Sequence, residues 1–385
     1  MLADWQRGGF GIYVHWPFCA AKCPYCDFNS HVVDRVDQKR WRQALVSEIE
    51  RVAAQVPERA VSTVFFGGGT PSLMPPETAE AVLEAIRANW AISNDLEVTL
   101  EANPTSSEAG KFHDFFDAGI NRVSVGLQAL NDADLTRLGR LHTAAEGRAA
   151  YDIARSIFPR VSFDLIYARQ HQSLEAWKAE LEDALSMDPN HMSLYQLTIE
   201  DGTAFKRRFD TGGLRGLPSE DLAADHYELT QDLCSEAGLP AYEISNHAVP
   251  GEEARHNLIY WRCGDYAGIG PGAHGRLTLP NGRVATASEP MPGRWISLVE
   301  GSGTGNIATD VLNLREQDVE LLLMGLRTRE GIDISRFQTK SKGLYNKISD
   351  LENVGVVDLS ESTLRVTDKG HLLLNRILQE LTSSL

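Results

Sequence analysis

The sequence has few cysteines, a deficit of basic residues and no long hydrophobic run. Five cysteines in 385 residues are too few and too unevenly spaced for a disulfide scaffold. Lys and Arg total 37 against 53 Asp and Glu, and the net charge of -16 disfavours nucleic acid or anionic lipid as the main partner. No apolar run reaches the roughly 18–20 residues that cross a bilayer, and residues 1–9 lack the pattern of a signal peptide. We therefore expect a cytoplasmic protein with no membrane span and no nucleic-acid partner.

Short strand-like runs alternate with helical runs over residues 1–200. The strand-like runs are rich in Val, Ile, Phe, Tyr and Leu, and Gly, Pro, Asn or Asp bounds each of them. This alternation predicts an α/β domain with a parallel sheet. No Gly-x-Gly-x-x-Gly follows the first strand, so a partial (β/α)6 barrel is favoured over a dinucleotide-binding sheet. The predicted strands are residues 11–15, 61–66, 96–101, 122–128, 161–167 and 191–197.

The remainder of the chain is predicted to form two further domains. Residues 201–309 have weaker patterns and are expected to form an α/β extension of the barrel. Residues 310–385 follow the order helix, helix, hairpin, helix, which is typical of a winged-helix-like domain. This domain has ten Lys and Arg against twelve Asp and Glu, whereas a reader of DNA grooves shows a basic face. We expect it to pack against the barrel or to dock a partner.

Three cysteines follow the first predicted strand as a Cys-x-x-x-Cys-x-x-Cys run, at Cys19, Cys23 and Cys26. Three thiolates on one short loop can hold three irons of a 4Fe-4S cluster and leave the fourth iron without a protein ligand. Such an open iron can chelate a small molecule and pass it an electron. A zinc site is the alternative, but zinc commonly takes four ligands in closely spaced pairs, and no second Cys or His pair follows nearby. The pattern therefore favours a cluster.

Polar and glycine residues follow or end several of the predicted strands. The segment Gly67-Gly68-Gly69-Thr70-Pro71 follows the second strand, Glu101 and Gln128 end the third and fourth, and Asp164 lies in the fifth. Barrel enzymes place their sites at the carboxyl ends of strands. One such residue alone is more often a helix cap or a solvated loop residue, but groups on four strands in series predict a shared site.

These motifs, in this order, resemble the radical S-adenosylmethionine (SAM) superfamily. Tyr13-Val-His-Trp-Pro-Phe-Cys19 is similar to the opening of the oxygen-independent coproporphyrinogen III oxidases and their relatives, and the similarity spans nearly the whole chain. The resemblance implies that the three cysteines bind a 4Fe-4S cluster and that SAM binds beside it. Arg140 is included for its spacing after Gln128, and a surface helix arginine is the alternative. The residues implied for SAM contact are Tyr13, Tyr25, Gly68, Gly69, Thr70, Glu101, Gln128, Arg140 and Asp164.

Position 28 distinguishes two groups within this branch. The oxidases have a further cysteine two residues after the third ligand, whereas this chain has Phe28 in Cys26-Asp-Phe-Asn-Ser30. That form is similar to the HemW family of heme chaperones, which resembles the oxidase without sharing its reaction. The alternative is SAM-dependent oxidative decarboxylation of coproporphyrinogen III. The similarity to HemW continues at residues 242–246, 255–261, 268–274 and 324–327.

His256-Asn257-Leu-Ile-Tyr260 is the HNxxY element that the resemblance associates with heme. Imidazole is a natural axial ligand of heme iron, and Tyr260 shares its face if the segment is helical. A histidine that only forms hydrogen bonds in a core is the alternative. The resemblance thus implies three cofactors (the cluster, SAM and heme) and delivery of heme to apo-hemoproteins, for example respiratory or storage hemoproteins. It leaves open a homodimer and a peripheral contact with membrane hemoproteins.

Overall fold

The computed structural model describes residues 4–33 and 35–385. Residues 1–3, which belong to the segment compared above with a signal peptide, lie outside the described residues, as does Asp34. In chain order the strands are Phe10–Trp16 (β1), Phe18–Cys19 (β2), His31–Val32 (β3), Ala60–Gly68 (β4), Ala91–Ala102 (β5), Arg122–Gln128 (β6), Arg160–Tyr167 (β7), His191–Gln196 (β8), Asn246–Ala248 (β9), Asp265–Ile269 (β10), His274–Leu279 (β11), Gly282–Ser288 (β12), Asn306–Val311 (β13), Ile332–Asp333 (β14), Val357–Ser360 (β15) and Thr363–Val366 (β16).

The helices begin mostly at polar capping residues. Thr143 and Asn313 form capping boxes with Glu146 and Glu316, in which each cap side chain accepts a backbone N–H three residues on. In chain order the helices are Asp4–Gly8 (α1), Gln38–Gln55 (α2), Pro76–Asn89 (α3), Ser106–Ala109 (α4), Phe112–Asp117 (α5), Asp132–Arg137 (α6), Ala144–Ile157 (α7), Leu174–Ser186 (α8), Ala204–Asp210 (α9), Glu220–Glu236 (α10), Arg255–Trp261 (α11), Pro292–Ser302 (α12), Leu314–Gly325 (α13), Lys342–Asn353 (α14), Asp368–His371 (α15) and Leu374–Ser383 (α16).

One sheet of eleven strands runs through the part of the chain that the structure describes, in the order β13-β12-β11-β10-β1-β4-β5-β6-β7-β8-β9. All six predicted barrel strands are present as β1 and β4 to β8, and each pairs in parallel with the next. Nearly every residue of β1 is buried, as expected for a parallel strand covered on both faces. The predicted α/β fold class, a partial barrel followed by a winged-helix-like domain, is confirmed.

The extension continues the barrel sheet on the free side of β1. β10 pairs with β1 in parallel, and β11, β12 and β13 follow as an antiparallel meander. Its helix α12 packs on α2, where the rings of Trp295 and Trp41 stack with centroids 5.3 Å apart. The predicted domain limit at residue 309 falls inside β13, and the domain limits remain predictions.

The C-terminal residues form a separate core. A three-stranded sheet in the order β14-β16-β15 packs with α13, α14 and α16 around fully buried leucines such as Leu322 and Leu364. The structure divides the predicted last helix into α15 and α16, with Leu372 and Leu373 between them about half exposed. Both are good helix formers, so the sequence pattern does not reveal this break. Within the described residues, no helix combines the length and apolar character needed to span a membrane.

Candidate functional site

The cysteine loop leaves the carboxyl end of β1 and returns along a short parallel ribbon. β2, which ends in Cys19, pairs with β3, which begins at His31. The His31 N–H donates to the Pro17 carbonyl at 2.7 Å, and the Cys26 N–H donates to the Cys23 carbonyl at 3.2 Å. All three cysteines are half-buried free thiols. The loop therefore presents three sulfur atoms in a fixed backbone frame.

These thiols form one wall of a pocket at the carboxyl ends of the barrel strands. The pocket has a cavity volume of about 150 Å³ and is open on one side. The structure brings the predicted cluster and SAM residues together here, apart from Tyr13. Those that line the pocket are Cys19, Cys23, Cys26, Tyr25, Gly68, Gly69, Thr70, Glu101, Gln128, Arg140 and Asp164.

Two of the sulfur atoms accept hydrogen bonds from other elements. Thr70 Oγ1 donates to Cys19 Sγ at 3.3 Å, and Arg140 Nη1 donates to Cys23 Sγ at 3.6 Å. Arg140 Nη2 also donates to Asn103 Oδ1 at 2.7 Å. Arg140 is therefore a pocket residue, not the surface helix arginine that was its alternative. Donors of this kind stabilise thiolates, the form in which cysteine binds iron.

A single metal ion would need a different arrangement. Among residues 4–33 and 35–385, no three His, Cys, Asp or Glu side chains are grouped as ligands of one ion. In a cluster each thiolate binds a different iron. The thiols of Cys19, Cys23 and Cys26, spread along one pocket wall with a donor at two of them, fit that donor set.

The glycine loop packs directly on the cysteine loop. The Gly69 N–H donates to the Trp16 carbonyl at 2.7 Å, and the Thr70 N–H donates to the Phe18 carbonyl at 2.9 Å. A Cβ atom at Gly69 would lie 2.8 Å from the Phe18 oxygen, and Gly68 has a φ of +114°, which side chains rarely adopt. Only glycine therefore allows this approach at both positions.

Two carboxyl groups lie beneath the glycine loop. Burial and the charge of Asp164 raise the pKa of Glu101 to about 8. Burial raises the pKa of Asp164 to about 6, although hydrogen bonds from Ser193 and Ser124 and the charge of Arg140 oppose this shift. Glu101 accepts the Gly68 N–H at 3.2 Å, and Asp164 accepts the Ser124 hydroxyl at 3.1 Å. Among the described residues neither carboxyl forms an ion pair, so a cationic ligand here would relieve the cost of ionising them.

Of the three remaining predicted residues, two line the pocket and one lies in the barrel interior. Gln128 has a φ of +69° next to an irregularity in the β6–β7 register, which turns it out of the strand into the pocket wall. Tyr25 lines the pocket and packs against the ring of Phe205. Tyr13 lies in the barrel interior, where its hydroxyl is 2.8 Å from His15 Nδ1 and the charge of Glu101 adds to burial in raising its pKa.

Sequence reasoning missed three residues that hold the site together. His15 Nε2 lies 2.9 Å from the Asn29 carbonyl, so β1 supports the far side of the cysteine loop. Asn29 Nδ2 also donates to the carbonyls of Pro271 and Pro290, which attaches the loop to the extension. Asn103 joins Thr70 and Arg140 through its side-chain amide. The signal for His15 was present in the Tyr-Val-His motif and that for Asn29 in Cys26-Asp-Phe-Asn-Ser30. The contacts of Asn29 with Pro271 and Pro290, and those of Asn103 with Thr70 and Arg140, join residues far apart in the sequence.

The HNxxY element is not part of this pocket. It forms α11, which packs on the amino ends of the strands, because His256 Nδ1 is 2.7 Å from Thr63 Oγ1 near the start of β4. Thr63 and Gly68 are five residues apart on β4, which corresponds to about 16 Å along a strand. His256 is 1% exposed and its Nε2 is 2.6 Å from the Tyr260 hydroxyl, so both ring nitrogens are engaged. Burial lowers its pKa to about 3. Asn257 is partly exposed.

A carboxylate anchors α11 to this end of the barrel. Glu97, 1% exposed, accepts the His256 N–H at 3.2 Å. The same carboxylate forms ion pairs of 3.2 Å with Arg122 and with Arg160. Together with α11 these groups close the amino end of the barrel. Ligation of heme iron by His256 remains a prediction, and it requires α11 to leave this position.

Comparison with known proteins agrees with this architecture. Residues 13–184 match the family model of the radical SAM superfamily, and residues 312–373 match the HemN C-terminal domain. The chain is 39% identical to mouse "Radical S-adenosyl methionine domain-containing protein 1, mitochondrial", over 97% of this chain and 87% of that protein. It is 40% identical to "Heme chaperone HemW" of Escherichia coli, over 74% of this chain and 76% of that protein.

The structure comparison extends over the whole chain. The solved coproporphyrinogen III oxidase HemN of Escherichia coli superposes with a TM-score of 0.83 at 21% identity, covering 100% of this chain and 92% of that one. At this identity the match establishes the fold alone. Fold and site thus define a radical SAM protein with a HemN-type C-terminal domain. Within that superfamily the chain belongs to the HemW family, which confirms the predicted resemblance.

Proposed function

We propose that this protein binds heme and delivers it to apo-hemoproteins, and that a 4Fe-4S cluster with bound SAM controls the binding or the transfer. The observation that carries this proposal is membership of a family whose bacterial relatives are named heme chaperones, at 34–40% identity. Apo-hemoproteins of respiration or storage are the proposed recipients. The homodimer remains a prediction, and so does the cytoplasmic location, since the animal relatives are named mitochondrial proteins.

We assign Cys19, Cys23 and Cys26 as the cluster ligands. A cluster with one open iron supplies a site that chelates SAM and can donate one electron to it. The chain's own contribution is to donate hydrogen bonds to two of the sulfurs, from Thr70 and Arg140. The bond from Thr70 opposes the burial that raises the pKa of Cys19. The half-buried loop limits the access of water to these atoms.

The residues opposite the thiols are suited to a zwitterionic, cationic ligand. Among the described residues Glu101 and Asp164 form no ion pair, and Arg140, which lines the same pocket beside Cys23, can donate to a carboxylate. SAM carries an ammonium, a sulfonium and a carboxylate, so it matches this distribution of charge. The Arg140 Nε atom is buried without a hydrogen-bond partner among the described residues, and a bound ligand would satisfy it.

Phe28 supports the chaperone over the oxidase. It lines the mouth of the same pocket and is 56% exposed. A phenyl ring has no acidic proton and no thiol, so it cannot do chemistry that depends on the cysteine present at this position in the oxidases. It offers instead an apolar surface next to the cluster loop.

The test uses the full chain, reconstituted anaerobically with iron and sulfide. We expect it to bind ferric heme with a defined Soret band, to pass heme to apomyoglobin as a model acceptor, and to form no protoporphyrinogen from coproporphyrinogen III, SAM and reductant. Catalytic formation of protoporphyrinogen would establish the oxidase alternative. If the cluster forms but the protein binds no heme, the chaperone proposal is wrong.

A further inference from the structure

Asn103 lies immediately after β5, two residues beyond Glu101, and lines the pocket that contains the three thiols. Its side chain is half-buried. Neither the cysteine motif nor the set of residues that the resemblance implies for SAM includes it. Its side chain nevertheless contacts Thr70 and Arg140, which are the two residues that donate to sulfur.

The orientation of the Asn103 amide follows from its partners. A guanidinium can only donate, so the atom that lies 2.7 Å from Arg140 Nη2 is the amide oxygen. The amide nitrogen then lies 3.2 Å from Thr70 Oγ1, to which it donates. The Thr70 hydroxyl has one hydrogen, which it donates to Cys19 Sγ at 3.3 Å. A chain of three hydrogen bonds, all in the same direction, thus runs from the Arg140 cation to the Cys19 sulfur.

The same amide also acts on the second sulfur. Arg140 Nη2 donates both to Asn103 Oδ1 and, at 2.9 Å, to the Gly126 carbonyl on β6. These two acceptors hold the guanidinium plane with Nη1 3.6 Å from Cys23 Sγ. Without the Asn103 oxygen, one of the two acceptors is lost and the guanidinium can turn away from Cys23.

The main chain at Asn103 is held independently of its side chain. Its N–H donates to Glu108 Oε2 at 3.1 Å, and the same oxygen accepts from the hydroxyl of Ser72, directly after the glycine loop. Glu108 is 3% exposed and also accepts from the Thr105 hydroxyl at 3.2 Å. A change of the Asn103 side chain leaves these contacts in place, so its effect can be separated from a general loss of structure.

We infer that Asn103 is a positioning residue for both the cluster and SAM. Its amide N–H directs the Thr70 hydroxyl to Cys19, and its amide oxygen holds Arg140 against Cys23 and in place for the carboxylate of SAM. Hydrogen bonds in a chain polarise one another, so the donation to Cys19 depends on Asn103 as well as on Thr70. The inference rests on the proposed function, since it takes the cluster and SAM to bind in this pocket.

The experiment is a double-mutant cycle between Asn103→Asp and Thr70→Val, followed by the midpoint potential of the cluster in the reconstituted full chain. Asn103→Asp keeps the oxygen that faces Arg140 but replaces the amide N–H by a charged acceptor. The Thr70 hydroxyl should then donate to the new carboxylate, since an ionised oxygen is a stronger acceptor than sulfur. We expect Thr70→Val to lower the potential in the wild-type background and to leave it nearly unchanged in the Asn103→Asp background.

Asn103→Ala tests the contact with Arg140. It removes one acceptor of the guanidinium, so we expect SAM to bind about three- to tenfold more weakly in a calorimetric titration and the cluster potential to fall. Asn353→Asp, at an exposed position on α14, introduces the same charge as Asn103→Asp and is the matched control, which should leave both quantities unchanged. Far-ultraviolet circular dichroism and the cluster absorbance show whether each variant is folded and loaded.

The inference is wrong if Thr70→Val lowers the potential equally in both backgrounds or in neither, or if Asn103→Ala changes neither the SAM affinity nor the potential. If Asn103→Asp forms no cluster, Asn103→Ala alone decides. The proposed function stands in each of these cases, because it requires only that the wild type forms the cluster and binds SAM and heme. A wild-type chain that forms no cluster would contradict the proposed function itself.

Discussion

The two ends of the barrel place a buried glutamate in opposite electrostatic environments. Glu97 and Glu101 lie on one face of β5, four residues apart, with Glu97 at mid-strand and Glu101 one residue before the carboxyl end. Glu97 is paired with Arg122 and Arg160 and accepts the His256 N–H. Glu101 accepts one backbone N–H and has Asp164 as a neighbouring charge. At the amino end the buried carboxylate is balanced by arginines of the chain, whereas at the carboxyl end a bound cationic ligand is needed to balance the carboxyl groups.

The largest expected effect concerns the cysteine wall at the carboxyl end. Replacing Cys19, Cys23 or Cys26 with Ala should abolish the visible absorbance of the reconstituted cluster, because each thiolate is assigned its own iron. Cys234 and Cys263 are buried and do not line the cysteine pocket, so Cys234→Ala and Cys263→Ala should leave the absorbance unchanged. A full cluster spectrum in any one of the first three variants would contradict the assignment.

The amino end should be the more sensitive to loss of a charge. Glu97→Gln leaves Arg122, 2% exposed, without its ion partner. We expect a loss of about 3–5 kcal/mol in the free energy of unfolding, measured with urea. Glu300→Gln breaks a solvated pair with Arg40 and is the control, with no measurable loss expected. Equal effects of the two variants would show that the amino end is not the rigid closure described above.

At the carboxyl end the effect should depend on pH. The raised pKa of Glu101, about 8, means that the folded protein keeps a proton that the unfolded chain releases near pH 4.5. Its stabilising contribution is complete below about pH 4.5 and is lost as the pH rises through 8. Glu101→Gln should therefore gain stability over the wild-type apo-protein between pH 5 and pH 8.5, by at least about 1 kcal/mol.

The control for this measurement is Glu84→Gln, on the exposed face of α3, which should show no such trend. A constant difference between Glu101→Gln and the wild type across this pH range would mean that Glu101 is ionised throughout. The contrast between an unpaired, protonated Glu101 and an ion-paired Glu97 would then be wrong.

The smallest effect concerns the donor to Cys19. Thr70→Val removes the hydroxyl that donates to Cys19 Sγ at 3.3 Å. A hydrogen bond of about 1 kcal/mol corresponds to roughly 40 mV for one electron, so the cluster potential should fall by about that amount. Thr70→Ser keeps the hydroxyl and should stay near the wild-type value in the same redox titration. An unchanged potential in Thr70→Val would show that this hydrogen bond does not stabilise the thiolate of the cluster.

The pocket was predictable because parallel strands align their ends. Once the strands are known, Gly68, Glu101 and Gln128 must lie together at one edge of the sheet. The cysteine loop follows β1, which lies between those strands and the extension, so it reaches the same edge. Arg140 was found by its spacing alone. The position of α11 was not predictable, since it depends on the contact of His256 with Glu97, 159 residues away.

The extension was the least predictable part of the fold. Residues 279–305 are rich in Pro, Gly, Ser and Thr, yet they contain all of β12 and α12. These elements are stabilised by their neighbours: β12 pairs with β11 and β13, and α12 packs on α2. Local propensity is weak where tertiary contacts determine the structure.

The pairing of β1 with β10 has a consequence for biosynthesis. β1 emerges from the ribosome early, but β10 begins only at Asp265. At about 5–20 residues per second, roughly 10–50 s separate the two strands. Asn29 cannot donate to the carbonyls of Pro271 and Pro290 until those residues have been synthesised. In the nascent chain the cysteine loop therefore lacks its contacts with the extension until most of the protein has been made. This leaves an interval in which iron and sulfide can be loaded.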